Sequence, residues 1–341
     1  MLAWCEAVRR CQSHPGGSFM AQPRKVLGLA LATLTLSAVL ASCGSSQNAA
    51  TPALQGDAAA PASTQVNVSD LPIDPQLTRN PLQEQATERY NITLKFAPGS
   101  SASVQNAMRT AAARWEKVIT QGLPSYRANI RAGSCGSNAA YVGTIDDLLV
   151  FTGNTDIDGP GGILAQSGPC SIRSASGLTT YSTLVFDTAD LGQFSSQLAD
   201  IAVHELGHSL GIGTLWQRFG LVSGIGGSNP TYQGGNGLRE YRAVGGTLSS
   251  VPVENQGGPG TAGGHWREST FKTELMTGYL NSGVFNPLSR MSVGSLQDMG
   301  YAVNYGAADA YRIPSVGAQG VGETLELGGR EQLITPTYRS E

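Results

Sequence analysis

The order of patterned segments predicts an α+β fold, a mixed twisted sheet with two helices packed on it. Three observations carry this. Short apolar blocks with strand character recur between Tyr90 and Thr188. Two stretches, opening near Ser101 and Ser195, repeat apolar residues every three or four positions. The chain also holds 44 glycines in 341 residues and only 14% charged residues, which suits a loop-rich exported protein.

The elements follow in order. In "YNITLKF", Tyr90, Ile92, Leu94 and Phe96 alternate with Asn91, Thr93 and Lys95, a half-buried strand. Ser101 or Ser103 then caps a helix whose apolar face is Val104, Met108, Ala111, Trp115 and Val118, ending near Gly122. "DDLLVFT" (146–152) and "STLVFDT" (182–188) read as strands. Between them runs the glycine-rich "DIDGPGGILAQSGPC". A second helix opens near Ser195 or Ser196, presents Leu198, Ile201, Ala202 and Leu206, and stops at Gly211 or Gly213. From Gly220 to Gly264 regular structure is scarce, with a brief helix at "GLREYRAV" (237–244). A long irregular stretch inside a domain is often functional. "SRMSVGSLQDMGY" (289–301) reads as a capped helix stopped by Gly300, and the tail after Ala307 is polar and weakly patterned.

The N-terminus suggests export. Arg24 and Lys25 precede the uncharged run Val26–Leu40, which at 15 residues suits a signal-peptide core better than a membrane span. The run ends in "LASC". That resembles a bacterial lipobox with Cys43 as the lipidated residue, and ordinary cleavage near Ala41 or Ser42 is the alternative. Residues 44–75 are rich in Ala, Ser, Pro, Thr and Gln and read as a flexible tether or short pro-segment. Without residues 1–42 the chain keeps 18 basic and 24 acidic residues, a net charge of −6. A mildly acidic chain with no basic cluster argues against nucleic acid as partner. Cys135 and Cys170 are a natural pair in an oxidising compartment, or two separate buried thiols.

The chemistry centres on "HELGHSLG". Residues four apart on a helix lie one above the other, so His204 and His208 can face one metal ion. Glu205 points about 100° round the helix, near enough to act on a water beside that metal. Chance gives His-Glu-x-x-His roughly 0.002 times in a chain of this composition. The flanks "LADIAV" and "LGIGTLW" are apolar, so unpaired polar groups here would be costly. Outside the leader the chain has one further histidine, His265 in "GGHWRE", which completes a three-histidine set or is a surface loop residue.

With "HELGHSLG", a distant histidine in "GGHWRE" and Met276 in "ELMTGY", the chain resembles the metzincin metalloproteases. The 57 residues between His208 and His265 resemble the insertion of the leishmanolysin branch, in its bacterial members. The resemblance implies one catalytic Zn²⁺ held by His204, His208 and His265, Glu205 as general base, and Met276 in the methionine turn below. Tyr279, three residues on, is not expected as an extra ligand. "DGPGGILAQSGP" (158–169) looks like the loop and edge strand above the cleft, where a peptide substrate adds as a strand. Gln166 stands near where relatives carry a second-zinc histidine, so a second zinc is not expected. Asp156 and Asp158 are candidates for structural Ca²⁺, or part of a polar glycine turn.

The implied fold is metzincin-like: the mixed sheet on an active-site helix, then an irregular glycine-rich lower subdomain with a C-terminal helix. The expected division is leader 1–42, tether 43–89, metalloprotease domain 90–305 and tail 306–341. The expected function is hydrolysis of proteins or peptides outside the cytoplasm, by a secreted or envelope lipoprotein whose membrane contact is the Cys43 lipid. The alternative is a non-catalytic, surface-tethered binding protein on the same scaffold.

Overall fold

The computed structural model describes residues 67–79, 88–258, 260–281, 283–315, 324–327 and 329–341. The leader, Cys43 and most of the expected tether lie outside them. The described elements are β1 (Leu77–Arg79), β2 (Ile92–Phe96), α1 (Ala102–Val118), β3 (Tyr126–Ile130), β4 (Tyr141–Ile145), β5 (Leu148–Thr155), β6 (Ala165–Ile172), β7 (Thr179–Asp187), α2 (Leu198–Leu210), β8 (Val222–Ser223), β9 (Thr231–Tyr232), α3 (Gly235–Ala243), β10 (Val251–Pro252), α4 (Glu268–Phe271), β11 (Tyr279–Asn281), α5 (Arg290–Met299), β12 (Thr324–Glu326), β13 (Glu331–Leu333) and β14 (Tyr338–Arg339).

The main sheet has the order β13-β6-β7-β5-β2, with β14 also on β6. Strands β2, β5 and β7 are parallel, and β6 runs antiparallel to β7. Strand β5 explains the block "LLVF". Leu148 and Val150 enter the core shared with α1 and α2, while Leu149 and Phe151 enter a second core under β3 and β4. A strand covered on both faces shows a continuous apolar run, not an alternation. The two helices are pinned together where the Trp115 indole donates to the Val203 carbonyl at 2.9 Å.

Helix α1 starts at its expected cap, with Ser101 Oγ accepting from the Val104 amide. It ends earlier than Gly122. Ile119 turns extended and makes an isolated antiparallel bridge to Val303, so pairing with a distant segment takes the chain out of the helix. Two larger differences concern the flanks. Part of the expected tether is built in: β1 pairs with β3, Leu77 lies in the second core, and buried Asp74 accepts from the Tyr181 hydroxyl at 2.6 Å. The weakly patterned tail also returns. β12 pairs with β11, and β13 and β14 pair in parallel with β6. The stretch 220–264 is more regular than expected as well. It holds α3 and a small sheet, β10-β9-β8, whose two-residue strands are too short to show a period.

Candidate metal centre

Helix α2 brings His204, Glu205 and His208 into the interior, each fully buried. Gly211 ends it in the left-handed conformation, φ 116°. The turn that follows places the Ile212 carbonyl 2.8 Å from His208 Nδ1.

His265 returns through an approach only glycines permit. A Cβ on Gly213, where φ is +75°, would lie 1.9 Å from the carbonyl oxygen of Gly264. The exit from the helix and the residue before His265 are thus in backbone contact. Aromatic packing closes the 57-residue detour. Buried Trp216 lies 4.4 Å from Trp266 and 5.1 Å from Tyr232, centroid to centroid. Trp216, where the insertion begins, therefore packs on Trp266, where it ends.

The three imidazoles have one arrangement in common. Nδ1 of His204 lies 2.7 Å from the Leu275 carbonyl, that of His208 2.8 Å from Ile212, and that of His265 3.0 Å from Thr261. A carbonyl only accepts, so each Nδ1 carries a hydrogen, and in the neutral ring each Nε2 then offers its lone pair. Those three Nε2 atoms face one another at 2.9, 3.0 and 3.2 Å. Burial, with the other two imidazoles, holds the His208 ring well below its usual pKa and so neutral. As neutral rings the three present converging acceptors, an arrangement that suits a cation. Their spacing is slightly inside the roughly 3.3 Å edge of a tetrahedron with zinc–nitrogen bonds of 2.0–2.1 Å. The donor set therefore fits zinc.

A fourth donor was not legible in the sequence. Glu331, from β13, places Oε1 2.7 Å from His265 Nε2 and Oε2 3.3 and 3.7 Å from those of His204 and His208. The candidate ligand atoms of these four residues all lie within 4.8 Å of one another. Burial opposes both charges, but as an ion pair His265 and Glu331 favour each other's charged form, the imidazole raised and the carboxyl, with His204 also near, held well below its ordinary range.

Glu205 lies beside this group. Ser167 Oγ donates to its Oε2 at 2.6 Å. Burial, and then the neighbouring Glu331 carboxylate, push its carboxyl well above the usual range. The floor beneath the helix is Met276, fully buried, as expected for a turn methionine that packs and does not ligate. Glu274 builds that turn. It accepts from the Met276 amide at 2.6 Å and from the hydroxyls of Ser289 and Ser292 at 2.6 Å each, tying α5 to the site. Ser292 in turn accepts from the Trp266 indole, next to His265. Neither Ser167 nor Glu274 has a spacing that would mark it in the sequence.

The remaining candidates fall elsewhere. The Tyr279 hydroxyl donates to Glu326, at 3.4 Å, so it turns toward β12 and not to the histidines. Gln166 donates to Gln332 of the tail at 2.7 Å. Asp156 and Asp158 are exposed, and both oxygens of Asp158 accept from the Ile163 amide within its own loop. Cys135 and Cys170 form a disulfide that ties the loop after β3 to β6.

Comparison with known proteins agrees with this geometry. No curated protein matches the chain. The leishmanolysin family, peptidase M8, matches residues 136–314, just over half of the 341 and inclusive of all three histidines. The chain belongs to the leishmanolysin family of zinc metallopeptidases.

Proposed function

We propose that the chain is a zinc endopeptidase acting on proteins outside the cytoplasm, with His204, His208 and His265 holding the metal and Glu205 as general base. The observation that carries this is the convergence of three Nε2 atoms, each ring fixed by an Nδ1 hydrogen bond to a backbone carbonyl. A bound zinc ion supplies Lewis acidity and lowers the pKa of a water toward neutrality. Glu205 accepts the proton of the attacking water and returns it to the leaving amine. Ser167 fixes one carboxylate oxygen and leaves Oε1 for this work. The expected peptide site is the edge of β6, by strand addition.

The leader supports export, through a lipid at Cys43 or by plain cleavage, and the Cys135–Cys170 disulfide suits an oxidising compartment. For Glu205→Gln we expect one zinc per chain and cleavage of a broad peptide library lowered by about 10²–10⁴-fold. A zinc-replete variant that cleaves at the unsubstituted rate overturns the assignment. The alternative reading, a binding protein with a structural metal, draws on Glu331. Four protein donors are the set of a closed site. Chelator-insensitive behaviour, with no turnover even after Glu331 is replaced, would favour it.

A further inference from the structure

We propose that residues 330–339 are a built-in ligand of the active site, with Glu331 the displaceable fourth donor that keeps the peptidase latent. This rests on the metallopeptidase reading above and adds its regulation.

Four features of the tail support it. First, Glu331 reaches all three histidines and sits beside Glu205, the place an attacking water must occupy. Second, β13 and β14 take the open edge of β6. Glu331 is opposite Ala165, Leu333 opposite Ser167 and Tyr338 opposite Ser171. A substrate adding to the sheet would need that edge. Third, the groove accepts this backbone closely. A Cβ on Gly168 would stand 2.1 Å from the Ile334 carbonyl oxygen, and one on Gly264 2.7 Å from Leu333 Cδ1. Fourth, Arg330 anchors the segment beside its glutamate. It pairs with Asp190 at 2.8 Å, donates to the Gly162 carbonyl at 3.0 Å and lies over the Phe194 ring.

The segment blocks without offering itself for cleavage, because a side-chain carboxylate, not a peptide carbonyl, meets the histidines. Its two ends have anchors of their own, the second partly on the far end of β6. Leu327 is buried and its amide donates to the Gly278 carbonyl at 2.9 Å. The Arg339 and Ser340 amides donate to Pro72 and Ile172 at 3.0 and 2.7 Å. Gln332 and Thr335 between them are exposed. Opening therefore requires only the middle to leave, or a cut within it.

The test uses the full chain, loaded with cobalt(II) in place of zinc, as it stands and as Glu331→Ala, Glu331→Gln and Arg330→Ala. Acetohydroxamate, a small bidentate chelator, is titrated against the cobalt visible bands, and casein cleavage is measured on the zinc forms. If less than a tenth of the unsubstituted chain is open, Glu331→Ala gains about tenfold or more in apparent acetohydroxamate affinity, with Arg330→Ala in between. Cleavage should rise in the same order. Equal affinity in the unsubstituted chain and the variants overturns the proposal. If Glu331→Ala does not fold, Glu331→Gln and Arg330→Ala put the same question to a folded chain. A Glu331→Ala chain that admits acetohydroxamate but cuts nothing upholds the tail as the occupant and sinks the peptidase reading instead. A chain that cuts equally fast with and without Glu331 does the reverse.

Discussion

Helix α2 and the chain from Gly213 to Glu331 build one cluster by opposite means. The helix spaces two imidazoles and a carboxylate by its own 3.6-residue turn, and Leu275 and Ser167 only fix how His204 and Glu205 are turned. The second region supplies His265 and Glu331 from positions 61 and 127 residues beyond His204, and every step depends on contacts between distant residues. A local device leaves a fixed spacing in the sequence. A non-local one leaves only the small residues that let two backbones meet, such as Gly213 and Gly264.

The sharpest way to break the second region while leaving the motif intact is Gly213→Ala. The new Cβ would fall 1.9 Å from a backbone oxygen, at a φ that favours glycine, so neither partner can yield by rotating a side chain. His265 must move. We expect zinc affinity to fall about 10–100-fold, the scale of losing a supporting contact, while far-ultraviolet circular dichroism keeps its helical signal. Unchanged zinc affinity in a competition titration would mean that the approach does not position His265.

The same contrast sets how much could be read in advance. The α+β class, both long helices, the strands at 148–155 and 179–187 and the helix stop at Gly211 were legible because each is a local pattern. Met276 and His265 were legible by resemblance, and the structure brings both to α2. Glu331 was not. β13 is three residues long, with Glu331 buried, Gln332 exposed and Leu333 half-buried, and a single buried glutamate in a polar tail looks like any solvated one. Residues 67–79 were missed for a similar reason. Asp74 is buried because Tyr181, 107 residues away, donates to it.

A smaller effect is expected at the loop that leads into β6. Asp187 Oδ2 accepts from the amides of Asp158 and Gly159 at 3.0 Å, and Oδ1 from Ala189 at 2.8 Å. Burial opposes ionisation, yet these amides outweigh it and hold the carboxyl below its ordinary range. A depressed pKa gives stability that is fully present above the unfolded value, about 3.9, and lost as pH falls through the folded one. Asp187→Asn turns one donor toward those amides. At pH 7 its melting temperature should drop on the order of 3–6 °C. The gap from the unsubstituted chain should close below about pH 4. A pH-independent gap would assign the loss to shape and not to charge.

The smallest expected effect tests the local region itself. Gly207 sits between the two motif histidines. A Cβ there would lie 2.9 Å from Sδ and Cε of Met276 and 3.1 Å from the Trp115 ring. Overpacking a core costs typically 1–3 kcal/mol. The main obstruction here is the far end of a flexible thioether, so Gly207→Ala should fall near the lower limit, about 1 kcal/mol. Alanine also favours the helix over glycine by about 1 kcal/mol, which offsets part of that loss. Net stability should therefore change little in a denaturant titration, and His204 and His208 should keep their metal. A large loss of zinc from Gly207→Ala, matching that from Gly213→Ala, would show that the motif helix depends on the methionine floor as much as His265 depends on its glycines. The division between a self-sufficient helix and a contact-built return would then fail.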